Sequence, residues 1–227
     1  MESIFSKHLL SCMIAVPFLG IALLAFVGSA LWARRIALGC ALLSLGFFLF
    51  VLSGFDSNKE GMQFVEEMAW MPTFHIKYSV GVDGISILLL LLTTLLTPLC
   101  VLCSWTAITA HVRAFMMLIL LVEGAMLVVF TAMDLFLFFM MWEVTMIPMY
   151  FMIILWGGPG RITAGLKFIL YSLIGSLLLL VGILALYVQG GSFDIATLAE
   201  QEYSPTSQFW MFLAFLLAFG IKLPMFP

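Results

Sequence analysis

The sequence predicts an all-α, polytopic transmembrane helix bundle of about seven spans, and three observations predict it. Of its 227 residues, 64% are hydrophobic and 9% charged, with a mean hydropathy of +1.22; soluble domains carry about 25% charged residues. Apolar segments of roughly the length that crosses a hydrocarbon core, about 20 residues, recur along the chain. The charges between those segments alternate in kind from one gap to the next. The same composition excludes other classes. No basic patch offers a nucleic-acid surface, so the expected partners are the lipid bilayer and other membrane proteins. The four cysteines, Cys12, Cys40, Cys100 and Cys103, lie inside apolar runs. Cys100-x-x-Cys103 has no second pair and no nearby His, so these thiols read as small buried hydrophobes and not as a metal or redox site.

Leu9–Leu31 is the first span; its apolar run exceeds the 7–15 residues typical of a signal-peptide core. Arg34 and Arg35 follow it, and Ile36–Leu52 is the second span. Residues 55–84 form the longest polar segment. Within it Phe74–Val80 alternates apolar and polar, the period of a half-exposed strand. With Pro72-Thr73 as a turn, a small hairpin is expected on one membrane face, His75 and Lys77 being solvated. Ile85–Trp105 is the third span, Ala114–Met133 the fourth, Leu135–Trp156 the fifth and Ile162–Val188 the sixth. Gly157-Gly-Pro-Gly-Arg161 between the last two is a tight turn without a phosphate-loop pattern. Ser172, Gly175, Ser176 and Gly182 give the sixth span a small-residue stripe suited to close helix packing. A polar loop, residues 189–207, leads to a seventh span from Gln208 that is expected to be discontinuous near Lys222–Pro224.

One set of gaps holds Arg34, Arg35, His111, Arg113 and Arg161 and no acid. The other holds Asp56, Glu60, Glu66, Glu67, Asp83, Asp134, Asp194, Glu200 and Glu202, with Lys59 and Lys77. The positive-inside rule places the arginine side in the cytoplasm and the N-terminus outside.

Three charges fall inside the apolar segments. Glu143 lies about 13 Å from the outer end of the fifth span, Glu123 about 16 Å from the same surface on the fourth, and Lys222 about 21 Å along the seventh. An acid at such depth costs roughly 2.5–3.5 kcal/mol on insertion scales and marks an ion or proton path by default. Pro224 has no N–H for the carbonyl of Gly220, nor Pro148 for that of Val144, so both charged spans carry weakened backbone beside the charge. This pattern points to a proton relay through Glu143, Lys222 and Glu123. Lys167, five residues into the sixth span, reads as an interfacial anchor or an accessory entry point.

VGVDGIS (80–86) leading into LLTTLLTPLCVLCSW (91–105), DLFLFFMMWEVTMIPMYFMIILWGGPGR (134–161), LKFILY (166–171) followed by Gly175-Ser176, and GIKLPMFP (220–227) appear in this order. In these motifs the chain resembles the chain M, or subunit-4 type, family of proton-pumping NADH:quinone oxidoreductase, the antiporter-like membrane subunits of respiratory complex I. The resemblance implies the first part of an inverted-repeat antiporter-like fold, with helices 1–3 and the external loop 55–84 in residues 1–113 and an incomplete first repeat in residues 114–227. It implies that Glu143 pairs with Lys222 of a broken helix, with Glu123 a third relay group. It further implies that NADH, FMN, iron–sulfur clusters and quinone are held by partner subunits and that this chain holds no cofactor or metal. The partners would be other membrane-arm subunits. The location would be a bacterial inner membrane, with the mitochondrial inner membrane as the alternative. Members of the family have about fourteen helices, so the sequence is expected to be a fragment that does not pump alone. Subunits of multisubunit cation/proton antiporters or membrane-bound hydrogenases, and a scaffold in which Glu143 and Lys222 meet in a closed, dry contact, are the other readings.

Overall fold

The structure is a computed structural model and describes residues 8–223 and 225. Helices account for most of it, in the order expected of a multi-pass membrane protein: α1 (Leu9–Ala25), α2 (Ala30–Gly54), strands β1 (Gln63–Met71) and β2 (Ile76–Val82), α3 (Ser86–Ala107), α4 (Val112–Thr131), α5 (Leu135–Val144), α6 (Met146–Trp156), α7 (Arg161–Gly190), the short α8 (Ile195–Ala199) and α9 (Pro205–Lys222). Among the described residues, five segments are long and apolar enough to cross a membrane: α2, α3, α4, the α5–α6 pair and α7. With the 17-residue apolar α1 and with α9 they occupy the seven expected positions.

Two boundaries differ from the sequence reading. The first helix ends at Ala25, and residues through Arg35 belong to α2, because the chain breaks at Val27-Gly28-Ser29 and helical backbone resumes at Ala30. The strand expected to begin at Phe74 begins at Ile76. Pro72–Phe74 instead forms a 3-10 turn closed by His75 in the left-handed region. The two strands form the expected hairpin, and His75 and Lys77 are both exposed.

The chain packs as two compact units. The first comprises Met1–Glu67 and Ser79–Ala132, the second Met68–Tyr78 and Met133–Pro227. Compactness records which helices pack on which and is a different division from a repeat boundary near residue 113. In the first unit α4 packs against α1, α2 and α3, and more of it is buried than of any other candidate span. The bulk of Pro17 and Phe18 on α1 fits against Gly124, where an added Cβ would meet both rings at 3.0–3.3 Å. By contrast, Leu88, Leu92, Leu95, Leu99 and Leu102 of α3 point outward, as side chains do when lipid stands in for solvent. In the second unit α7 is the central element, packed against α5, α6, α8 and α9. Ile76 of the hairpin joins Leu179, Ile183, Phe193 and Ala218 in its core.

Helix ends leave backbone amides and carbonyls without partners, and charged side chains meet them. The buried Glu66 accepts from the Leu10 amide at 2.8 Å and the Ser11 amide at 3.2 Å, and also from the Ser11 hydroxyl, capping α1 from a strand more than fifty residues away. Asp83 accepts from the Ile85 and Ser86 amides ahead of α3, and these donors hold its carboxyl below the ordinary value. Asp134 caps α5 through the Phe136 and Leu137 amides and also accepts from the Lys77 amide. Burial nonetheless pushes its carboxyl up, with the Asp194 charge adding to the effect. At the other ends Arg113 donates to the Val27 carbonyl, Arg34 to Ile108 and Arg161 to Leu155. The signs match the helix dipole, each such charge being worth about 0.3–1 kcal/mol at an exposed site.

The Glu66 cap generates a prediction. Glu66→Ala leaves the first amides of α1 without an acceptor and lowers stability by about 2–3 kcal/mol, whereas Glu66→Gln keeps an acceptor oxygen and costs about half as much. Thermal unfolding of the full-length protein in detergent reads both.

Candidate relay site

The second unit brings together the two residues that the fifth and seventh spans were expected to pair. Glu143 occupies the last turn of α5. The helix is interrupted at Thr145 and resumes as α6. The cause is local: Pro148 supplies no N–H to the carbonyl of Val144, and the Thr145 hydroxyl folds back to donate to the Trp142 carbonyl at 2.7 Å. A Ser or Thr side chain bonded to the preceding turn bends helices in this way.

Lys222 is delivered by α9, which begins with Ser204 as its N-cap and Pro205 in its first turn. Its ammonium donates to the Thr145 hydroxyl at 3.3 Å and lies 4.9 Å from the centroid of the Trp142 ring. The ring is held edge-on by Phe219, three residues before Lys222 on α9. Glu143 lies within electrostatic reach of the ammonium, but the two form no ion pair within 4.0 Å. Its Oε1 is buried and has no hydrogen-bond partner. The amine is thus seated on a hydroxyl and an aromatic face, with a carboxylate oxygen vacant nearby. That is an open arrangement, and the closed, dry Glu143–Lys222 contact of a scaffold is not present.

The end of α9 corrects one expectation. The Gly220 carbonyl was expected to be free because Pro224 has no N–H, yet it accepts from the Met225 amide at 3.0 Å. An amide five residues on, one later than in a regular α-helix, supplies the donor. Lys222 is the last helical residue, followed by Leu223 as the C-cap. The expected break residue Pro224 lies outside the described residues.

Glu123 belongs to α4 of the first unit and is 1% exposed, with neither carboxyl oxygen hydrogen-bonded. Ser44 of α2 approaches it without completing a bond of ordinary geometry, and Cys40, one turn earlier, feels its charge. Lys167 is exposed on α7 and makes no recorded contact with Glu143 or Lys222 among the described residues. Thr145 and Trp142 escaped the sequence reading as site residues. The available signal was a hydroxyl three residues before a mid-span proline and two after the buried acid.

What places Lys222 is the small-residue stripe of α7. Ser172, Gly175, Ser176 and Gly182 are all buried. A Cβ on Gly175 would meet Ile221 at 3.0 Å, and one on Gly182 would meet Phe215 at 3.0 Å. Both neighbours belong to α9, and Ile221 is adjacent to Lys222.

Residues 132–227 match the family model described as NADH:quinone oxidoreductase/Mrp antiporter, TM. The chain is 40% identical over 240 residues to NADH-quinone oxidoreductase subunit M of Rhodobacter capsulatus, covering 97% of this chain and 46% of that protein. It is 39% identical over 221 residues to NAD(P)H-quinone oxidoreductase chain 4 1 of Synechococcus sp. (strain JA-3-3Ab), covering 96% and 42%. Its structure is similar to a chain of the respiratory complex I from Thermus thermophilus with bound NADH, with a TM-score of 0.83 at 30% identity over 96% of this chain and 44% of that one. A chain of the Mrp complex from Dietzia sp. DQ12-45-1b shares the fold, with a TM-score of 0.81 at 19% identity over 94% and 23%. The chain spans less than half the length of each of these relatives.

The packing of α7 on α9 is testable. Gly175→Val forces side-chain atoms against Ile221 and lowers stability by about 1–3 kcal/mol. Leu170→Ala, on the exposed side of the same helix, stays within about 0.5 kcal/mol. Thermal unfolding midpoints of the full-length variants in one detergent compare them.

Proposed function

The chain belongs to the NADH:quinone oxidoreductase/Mrp antiporter family of membrane subunits, and we propose that within the full-length protein it carries protons across the membrane in a redox-driven NADH:quinone oxidoreductase. The observation that carries this reading is the pairing at the α5–α6 break: a buried, unpartnered Glu143 oxygen beside an ammonium held by neutral groups. Such a pair has two arrangements of similar cost. Separated, the amine rests on Thr145 and Trp142. Associated, it neutralises Glu143. A lysine alternating between them holds a proton when near the carboxylate and releases it more readily when apart. Glu123 is proposed as a further relay acid, since a carboxyl buried without a hydrogen bond is costly and is retained where it moves protons.

The same reading makes the other membrane-arm subunits of the oxidoreductase the partners and places NADH, flavin, iron–sulfur clusters and quinone on them. It puts the protein in a bacterial inner membrane with its N-terminus outside. The cationic gap residues favour that orientation.

The test uses inverted membrane vesicles from a host carrying the full-length chain. NADH is added, and acidification of the interior is followed with a pH-sensitive dye. Glu143→Gln is expected to reduce proton uptake at least tenfold, while a native gel finds the complex assembled. Uptake at the wild-type rate would return Glu143 to a packing role. Proton movement that requires added sodium and not NADH would assign the chain to a cation/proton antiporter instead.

A further inference from the structure

The amine of Lys222 has two described contacts, and neither is with Glu143. Its one hydrogen bond goes to a hydroxyl at the single interrupted position of the fifth span. We propose that Thr145 is a positioning residue for Lys222: its hydroxyl, fixed by donating to the Trp142 carbonyl, holds the amine at the helix break apart from Glu143 and so defines one of the two positions between which it moves. This rests on the relay reading of the Glu143–Lys222 pair.

Three observations fit together. First, the Thr145 hydroxyl has one hydrogen, spent on Trp142 at 2.7 Å, which leaves its lone pairs for the ammonium at 3.3 Å. A hydroxyl used in this order accepts from a cation but cannot donate to a carboxylate, so it serves Lys222 and not Glu143. Second, Trp142 supplies both the carbonyl that orients Thr145 and the ring that flanks the ammonium at 4.9 Å. One turn of α5 therefore builds the whole seat. Third, Glu143 is the carboxylate whose charge reaches Lys222, and its Oε1 is buried without a partner. The alternative position for the amine is thus present and vacant. A hydrogen bond to an ammonium is stronger than one between neutral groups, so the hydroxyl competes with the carboxylate for the amine.

Without the hydroxyl, Glu143 is the described residue whose charge acts on the ammonium. The pair should then stay closed, and an ammonium held by a carboxylate gives up its proton less readily than one held by a hydroxyl. The experiment uses the full-length chain in its assembled complex, in inverted vesicles, with NADH-driven proton uptake measured from about pH 6 to 9. Thr145→Val, which keeps the shape and removes the hydroxyl, is expected to lower uptake by about fivefold or more. Its pH profile should be displaced toward alkaline pH by half a unit or more. Thr145→Ser should restore both to near the wild-type values. A profile and rate unchanged in Thr145→Val would overturn the proposal. So would a drop in rate with the pH profile unmoved, which is what a purely structural kink would give. If Thr145→Val does not assemble, Thr145→Ala is read by the same criteria. Failure of both to assemble, with Ser intact, would assign the hydroxyl to folding and sink the idea. Glu143→Gln in parallel separates the two claims: uptake lost there but normal in Thr145→Val removes only the positioning role, and uptake retained there removes the relay itself.

Discussion

Hydrocarbon cannot hydrogen-bond, and that constraint organises this chain. Every backbone group within the membrane needs a partner from the protein, and every charge there needs one or a reason to lack it. Helices solve the first requirement along their length but not at their ends. In α1, α3 and the α5–α6 span the solution has one form: a carboxylate at the start, from Glu66, Asp83 or Asp134, and an arginine on a carbonyl at the end, from Arg113, Arg34 or Arg161. Charges that distinguish the two sets of gaps are therefore among those that finish its helices. This economy is physical. The helix dipole favours anions at one end and cations at the other, and a chain crossing from an acidic to a basic face presents the matching sign at both ends of those spans.

The constraint is left unsatisfied at two buried carboxyl groups. Glu143 retains a buried oxygen with no partner, and both oxygens of Glu123 are without one. In a fixed scaffold these would be liabilities of a few kcal/mol each. In the proposed relay, the Glu143 oxygen is the vacant half of an equilibrium with the Lys222 ammonium. The backbone beside it departs from a regular helix. Pro148 removes one rung of the helix ladder, the Thr145 hydroxyl takes up a carbonyl of the preceding turn, and the ring of Trp142 shields one side of the amine. The α9 helix can bring Lys222 to this place because glycines at 175 and 182 of α7 let it approach.

Much of this was legible in the residues. Apolar segment length located the helices, and the gap charges gave a consistent alternation. The depth of Glu143 and Lys222 picked out the pair, and the small residues of the sixth span foretold its tight packing. What failed did so for identifiable reasons. The first helix stops early because the chain breaks at residues 27–29, a local choice that hydropathy averages over. The Gly220 carbonyl is satisfied by Met225, since a chain can compensate one residue past a proline. Thr145 was passed over because a lone threonine in an apolar run looks like ordinary filler; only a partner 77 residues away makes it a site.

The sequence alone determined that the chain crosses a membrane, how often, and which ionisable groups it buries, because those follow from composition and spacing along one dimension. Tertiary structure decided how the buried groups meet. It put Lys222 on Thr145 and Trp142 and left Glu143 Oε1 open, an outcome that depends on how closely α9 packs against α7 and where α5 bends. The reason is one of scale. Depth in a bilayer is counted in residues, at about 1.5 Å each. Whether an amine pairs with a carboxylate or a hydroxyl turns on about an ångström between helices, which neighbours in space set and neighbours in sequence do not.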